Sequence, residues 1–261
     1  MMSPEGLYLA HLEAREHKNI LLSPKVGAFL ATVIPGQRIA FFDMDQTLTQ
    51  KGVDVEYEAY KLGLVPGFTD ELDLVDDRFE ILRRFTPRVT WELSAHTYFP
   101  EGVTTSPEVV RALGRSLGRH LLQEGAFRPE ALEVLQLCGQ QGLRSVVLTA
   151  TPDDIALGIM QEVSQKLSVQ IYVLGRELEY DDRGRVTPAL FMYGKPKKEV
   201  VRASKQKGAI AYLGAGDKAY IGGSDEFVFE CQNQIELDNK DPEQCSKQWQ
   251  NALTILRQGI N

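Results

Sequence analysis

Apolar positions follow two spacings along this chain. Short continuous runs have the length of buried strands, and repeats of three and four have the period of helices. The runs are Ile39 to Phe42, Ser145 to Leu148, Val169 to Leu174, Ala209 to Leu213 and Phe227 to Phe229. Helical spacing fills Gly6 to Leu22 and resumes after Arg128-Pro129 as far as Leu137. It appears again from Pro152 to about Leu167, from Pro196 onward, and from Pro242 to Gln258. Ser23-Pro24 supplies an N-cap and a first-turn proline for a short helix that should stop before Pro35-Gly36. Tyr180 to Gly184 reads as a turn between two extended pieces, 176–180 and 185–190. Strands alternating with helices predict an α/β fold, a Rossmann-like three-layer α/β/α core around a mostly parallel sheet. The helical stretch after the first strand interrupts that rhythm and reads as an inserted, mainly helical cap. The expected division is an N-terminal helical extension over 1–37, a core of 38–50 with 127–261, and a cap over 51–126.

Composition narrows the partners. The chain has 261 residues, 43% of them hydrophobic and 25% charged, which is ordinary for a globular protein. A net charge of −7 argues against nucleic acid or an anionic membrane surface. It favours a small substrate whose charge is handled by a metal or a few cations. The longest apolar runs are strand-sized, so no helix is expected to span a bilayer. The first residues lack a cationic segment followed by an apolar core, so no secretory signal is expected. Cys138, Cys231 and Cys245 are odd in number and form no C-x-x-C pair, which suits a reducing, cytoplasmic setting. Nothing in the pattern indicates an oligomeric state.

Chemistry concentrates at the ends of the strands. Asp43 and Asp45 follow the first strand, where Gln46 and Thr47 favour a turn, at the sheet edge where open α/β folds hold ligands. Thr149 ends the second strand, Asp217 lies beyond a later one, and Lys195 precedes a helix between them. Each has an ordinary reading on its own: an Asx turn for the acids and an N-cap for Thr149. Lys195 has neighbours Lys197 and Lys198 on what reads as one solvated helix turn, with Lys198 the alternative choice. Convergence of all of them on one edge suits phosphoryl transfer. That reaction needs a neutralised phosphate, a nucleophile and a proton source.

These segments also resemble a known family. Phe41-Phe-Asp-Met-Asp-Gln-Thr-Leu48 is similar to motif I of the haloacid dehalogenase superfamily, an apolar strand followed by D-x-D-x-T. Val146 to Thr151 resembles motif II, Gly194-Lys195 the motif III lysine, and Gly216-Asp217 the acidic motif IV. Their order and spacing resemble the phosphoserine-phosphatase-like branch, with the insertion at the C1 cap position, over roughly residues 38–230. The resemblance implies that Asp43 is the nucleophile, forming an aspartyl phosphate, and Asp45 the acid and base. It implies that Thr149 and Ala150 bind the phosphoryl oxygens. Lys195 would pair with phosphate and Asp43. Asp43, Asp45 through its carbonyl, and Asp217 would hold Mg²⁺.

The implied activity is a Mg²⁺-dependent phosphomonoester hydrolase acting on a small phosphorylated substrate, with phosphoproteins among the open classes. Two alternatives stand beside it: a phosphotransferase or phosphomutase with the same intermediate, and a catalytically weak binding or regulatory protein. The departure from the pattern lies in motif IV. Lys218 to Ile221 occupies the place of a second acid, and the next carboxylates are Asp225 and Glu226. In the cap, Arg78, Arg83, Arg84 and Arg88 near Phe79, Phe85, Trp91, His96 and Tyr98 read best as amphipathic helix with a basic face.

Overall fold

A computed structural model of the chain describes residues 20–53, 55, 58, 105–184, 186–190 and 192–258. The cap arginines, His96 and Tyr98, and most of the helix expected over 6–22, lie outside those residues.

The sheet has six strands: β1 (Arg38–Phe42), β2 (Arg144–Pro152), β3 (Ile171–Tyr180), β4 (Val186–Leu190), β5 (Ile210–Gly216) and β6 (Asn233–Glu236). Their spatial order is β4-β3-β2-β1-β5-β6. Every neighbouring pair is parallel except β3 with β4, which the Tyr180–Gly184 turn makes antiparallel. The α/β architecture with a mostly parallel sheet, expected from the alternating pattern, is the one found. β1 lies inside the sheet, with Phe42 opposite Val147 of β2 and Ala215 of β5. The ends of these three strands therefore meet at one edge.

Both faces of the sheet are buried, and the two-residue period of a strand divides them. Ile39 and Phe41 enter one apolar cluster, whereas Ala40 and Phe42 enter the other. The first cluster is closed by α1 (Pro24–Ala31) and α5 (Lys195–Gln206), through Val26, Phe29, Val200 and Val201. Ser23 caps α1 as expected, its Oγ accepting the Val26 N–H at 3.1 Å. The described part of the 1–37 segment thus packs on the sheet.

The second cluster is closed by α2 (Pro107–Gln123), α3 (Pro129–Gln140), α4 (Asp153–Leu167) and α6 (Pro242–Gln258). Trp249 of α6 is fully buried there. Helix α2 falls within the stretch expected as cap, yet it lies directly along α4. The contact is backbone to backbone. A Cβ on Gly158 would stand 2.3 Å from the Arg111 carbonyl oxygen, and one on Gly114 2.3 Å from that of Ile155.

Two strand expectations change. Phe227 to Phe229 is a 3₁₀ turn within Glu226–Glu230, not a strand. The Val228 N–H donates to the Asp225 carbonyl at 3.0 Å, and Phe227 and Val228, adjacent in sequence, are both buried. That places them on a turn rather than on alternating faces. The last strand is β6, which carries one apolar residue, Ile235, among polar ones and so gave little pattern. β5 runs on to Gly216, so Asp217 follows the strand directly.

The glycine contact makes a direct test. Gly158→Ala should destabilise the protein by about 1–3 kcal/mol through overpacking. Gly27→Ala, on α1 with nothing within 4 Å of the added carbon, should stabilise by up to about 1 kcal/mol. Urea unfolding measures both, and equal effects would refute the close helix contact.

Candidate active site

The nucleophile candidate emerges from β1 under tight backbone control. The Asp43 N–H donates to the Ala215 carbonyl of β5 at 2.9 Å. The chain then turns through Met44–Leu48, with Asp45 extended and Gln46 left-handed at φ 59°. The Thr49 hydroxyl accepts the Gln46 N–H at 2.8 Å and supports that turn. Asp43 ends up buried and Asp45 half-buried.

The lysine that reaches Asp43 is Lys197, not Lys195. Lys197 Nζ donates to Asp43 Oδ1 at 2.6 Å and to Asp225 Oδ1 at 2.7 Å, with its side chain 2% exposed. Lys195 is 85% exposed and faces Glu199 one turn along α5. Lys198 pairs with Glu226 at 2.5 Å. Helical period explains the difference. Lys197 shares the buried face of α5 with Val200, Val201 and Ser204, which are its i+3, i+4 and i+7 neighbours. Lys195 lies two residues earlier, off that face. The signal was present in the sequence: of the three lysines, only Lys197 continues the apolar stripe.

Asp45 has its carboxylate turned toward β2 and the chain after the turn. Thr151 Oγ1 donates to its Oδ2 at 2.9 Å, and the Val55 N–H to its Oδ1 at 3.1 Å. Thr149 and Ala150 lie in β2, both buried, just beyond Val147, the partner of Phe42. The Thr149 hydroxyl accepts the Thr151 N–H at 3.1 Å. Thr47 is fully buried, its hydroxyl without a hydrogen-bond partner among the described residues. Thr151, not anticipated from sequence, therefore orients the second acid.

The irregular motif IV closes in space. Asp225 is fully buried, and its Oδ2 accepts the Lys218 N–H at 3.1 Å while its own N–H donates to the Lys218 carbonyl at 3.3 Å. It sits so close to β5 that a Cβ on Gly216 would lie 2.4 Å from its own Cβ. One carboxylate oxygen each from Asp43, Asp217 and Asp225 falls within 4.8 Å of the others. Asp217 also accepts a hydrogen bond from Asn239 Nδ2 at 3.2 Å.

Crowding of these acids controls their protonation. Burial, then the charge of Asp225, push Asp43 up to about 7 against the pull of Lys197. Burial and Asp225 likewise push Asp217 up to about 6. Burial works against Asp225 as well, but Lys197 outweighs it and holds that carboxyl below its ordinary value. Lys197 resists the burial that would discharge it, because Asp225 and Asp43 hold its proton. Half-buried Lys218 lies within the field of Asp217 and Asp43 and is also raised. Three hard oxygen donors carrying more negative charge than Lys197 balances fit a divalent cation such as Mg²⁺. Asp225 joins Asp43 and Asp217 in that set, and the side chain of Asp45 stands apart from it.

A sequence model of the haloacid dehalogenase-like hydrolase family matches residues 40–224. No curated protein matches the sequence. Among solved structures, a protein of unknown function from Bordetella pertussis Tohama I is 20% identical. The match covers 64% of this chain and 73% of that one, with a TM-score of 0.46. A HAD family hydrolase from Salmonella enterica subsp. enterica serovar Typhi is 15% identical, over 87% of this chain and 76% of its own, TM-score 0.48. Phosphoserine phosphatase from T. onnurineus, in complex with NDSB-201, is 13% identical over 85% and 89%, TM-score 0.44. Among the described residues no helix is long and apolar enough to cross a membrane.

The acid cluster predicts an unusual pH response. Asp43 and Asp217 keep their protons to about 7 and about 6 in the folded state, against 3.8 ordinarily. Between those limits the folded protein binds more protons than the unfolded chain, so stability falls as pH rises through the window. Metal-free protein should therefore lose thermal stability between about pH 5 and 7.5, and Asp43→Asn should flatten the decline. Mg²⁺ should restore more stability at the upper pH than at the lower. Melting curves with and without chelator measure this, and parallel curves for the two proteins would refute it.

Proposed function

The chain belongs to the haloacid dehalogenase-like hydrolase family, and from that premise we propose that it is a Mg²⁺-dependent phosphomonoester hydrolase working through an aspartyl phosphate. The observation that carries this reading is Lys197, buried between Asp43 and Asp225 at the sheet edge where Asp217 also ends. A lysine buried between two carboxylates adds little net stability, so its charge is accounted for better by chemistry than by folding. An anionic substrate approaching an anionic nucleophile needs that charge.

The proposed sequence of events assigns a role to each of these positions. The Asp43 carboxylate attacks phosphorus, forming an Asp43–phosphoryl bond as the bond to the leaving oxygen breaks. Asp45, held by Thr151 and the Val55 N–H, gives its proton to that oxygen. A water molecule then attacks the aspartyl phosphate, Asp45 takes its proton, and inorganic phosphate leaves with Asp43 regenerated. Lys197 keeps one oxygen of Asp43 oriented and offsets charge that builds on the phosphoryl group. Thr149 and Ala150, in β2 beyond Val147, would line the phosphoryl side. Asp43, Asp217 and Asp225 would hold Mg²⁺, with the Asp45 carbonyl the further ligand implied by the family. Bound there, the ion supplies charge neutralisation and a fixed orientation for the phosphoryl oxygens.

The substrate is a small phosphorylated molecule whose leaving group is selected by residues of the insertion after β1. The three cysteines are free and buried, which fits a reducing, cytoplasmic setting.

Release of inorganic phosphate from an aryl phosphate tests the reading. Asp43→Asn should abolish turnover, and Lys197→Met should lower it by about 100-fold or more. Lys195→Ala should leave it within about twofold, as expected for an exposed surface pair. No Mg²⁺-dependent release would sink the hydrolase reading. Turnover that survives Asp43→Asn would sink the mechanism, and a loss with Lys195→Ala equal to that with Lys197→Met would sink the lysine assignment.

A further inference from the structure

The nucleophile turn and the acid beyond β5 are joined by one side chain that neither motif contains. Asn239 lies half-buried in the connection between β6 and α6. Its Nδ2 donates to the Gln46 carbonyl at 2.9 Å and to Asp217 Oδ2 at 3.2 Å. Its Oδ1 accepts Arg128 Nη2 at 2.6 Å, and Cys245 Sγ stands 4.0 Å from the same oxygen. The orientation of the amide is forced. A guanidinium can only donate, so Oδ1 must face Arg128 and the two N–H groups must face the carbonyl and the carboxylate.

Arg128 does more than orient the amide. Its Nη2 also donates to the Gln46 carbonyl at 3.1 Å and its Nε to the Thr47 carbonyl at 3.1 Å. Gln46 is one of two non-glycine residues with positive φ among the described residues, a conformation that persists only where its surroundings enforce it. That residue directly follows Asp45, so its backbone sets the direction of the Asp45 peptide. On the other side, Asp217 feels the like charges of Asp225 and Asp43, a repulsion that Lys218 offsets only in part. The Asn239 N–H is a neutral donor that holds Asp217 Oδ2 against that repulsion.

We propose that Asn239 is a positioning residue for the divalent cation, tying the Gln46 peptide to the Asp217 carboxylate under the control of Arg128. It is not itself a ligand, because its N–H groups, which cannot coordinate, face Gln46 and Asp217 while its oxygen faces Arg128 and Cys245. The proposal rests on the metal reading above, and it assigns the outer support of that site to residues 128 and 239. Outer partners of this kind typically set metal affinity by 10–100-fold.

The test is Mn²⁺ titration of the full chain, with free ion followed by electron paramagnetic resonance. Asn239→Ala should raise the Mn²⁺ dissociation constant about 10-fold or more. Arg128→Gln should do the same through the freed amide, and the double variant should be little worse than either single one, since they act in series. At saturating metal the turnover of Asn239→Ala should return to within a few-fold of wild type. Its metal-free melting temperature should stay close to the original. A general structural defect would instead lower that temperature and leave turnover depressed at any metal concentration. Should Asn239→Ala not fold, Arg128→Gln alone carries the same expectation. Wild-type Mn²⁺ affinity in the folded variants overturns the proposal while leaving the metal reading intact. Failure of the wild-type protein to bind Mn²⁺ overturns both.

Discussion

The buried ion triad of Lys197 with Asp43 and Asp225 is the constraint on which the rest of this structure depends. Charges removed from water are tolerated only when paired and hydrogen-bonded, and here one ammonium meets two carboxylates at 2.6 and 2.7 Å. Each member comes from a different element: β1, the loop after β5, and the first turn of α5. Removing Lys197 leaves two uncompensated carboxylates in the interior. The triad therefore couples the fold to the chemistry, since β1, β5 and α5 must be in register before its charges can be balanced.

What puts these elements in register is apolar. Ile39 and Phe41 face α1 and α5, while Ala40 and Phe42 face the layer of α2, α3, α4 and α6. A strand with both faces covered cannot slip by one residue without exchanging every side chain between layers. Asp43, next in line after Phe42, is thereby delivered to the edge with its backbone tied to Ala215. The glycine seam between α2 and α4 acts at the level of the layer, letting the two helices approach until only backbone separates them.

The acidic half of the site is built against its own electrostatics. Burial and the charge of Asp225 raise the affinity of Asp43 and Asp217 for protons or for a cation, and Lys197 balances only part of the charge. Neutral donors do the remaining positioning. Thr151 and the Val55 N–H hold Asp45, the Lys218 N–H holds Asp225, and Asn239 holds Asp217. Such fixed dipoles need no reorganisation when charge moves, which is the property the proposed phosphoryl transfer requires.

Reading residues in order was sufficient for the alternating strands and helices, the parallel sheet, and the placement of Asp43, Asp45, Thr149 and Asp217 at one edge. These features depend on local period and on turn residues, both written in neighbouring positions. It was also sufficient for the family, because the motif strands are contiguous. Choosing Lys197 over Lys195 needed the direction of the α5 side chains, although its apolar stripe already hinted at the answer. Asp225 could be named from sequence only as a candidate, since seven residues of loop separate it from Asp217 and only the folded loop shows that it returns. Thr151 lay within the motif II segment without a role of its own, and nothing local marked the contacts of Arg128 and Asn239. Their roles come from hydrogen bonds between residues far apart in the chain, and only tertiary packing creates those distances.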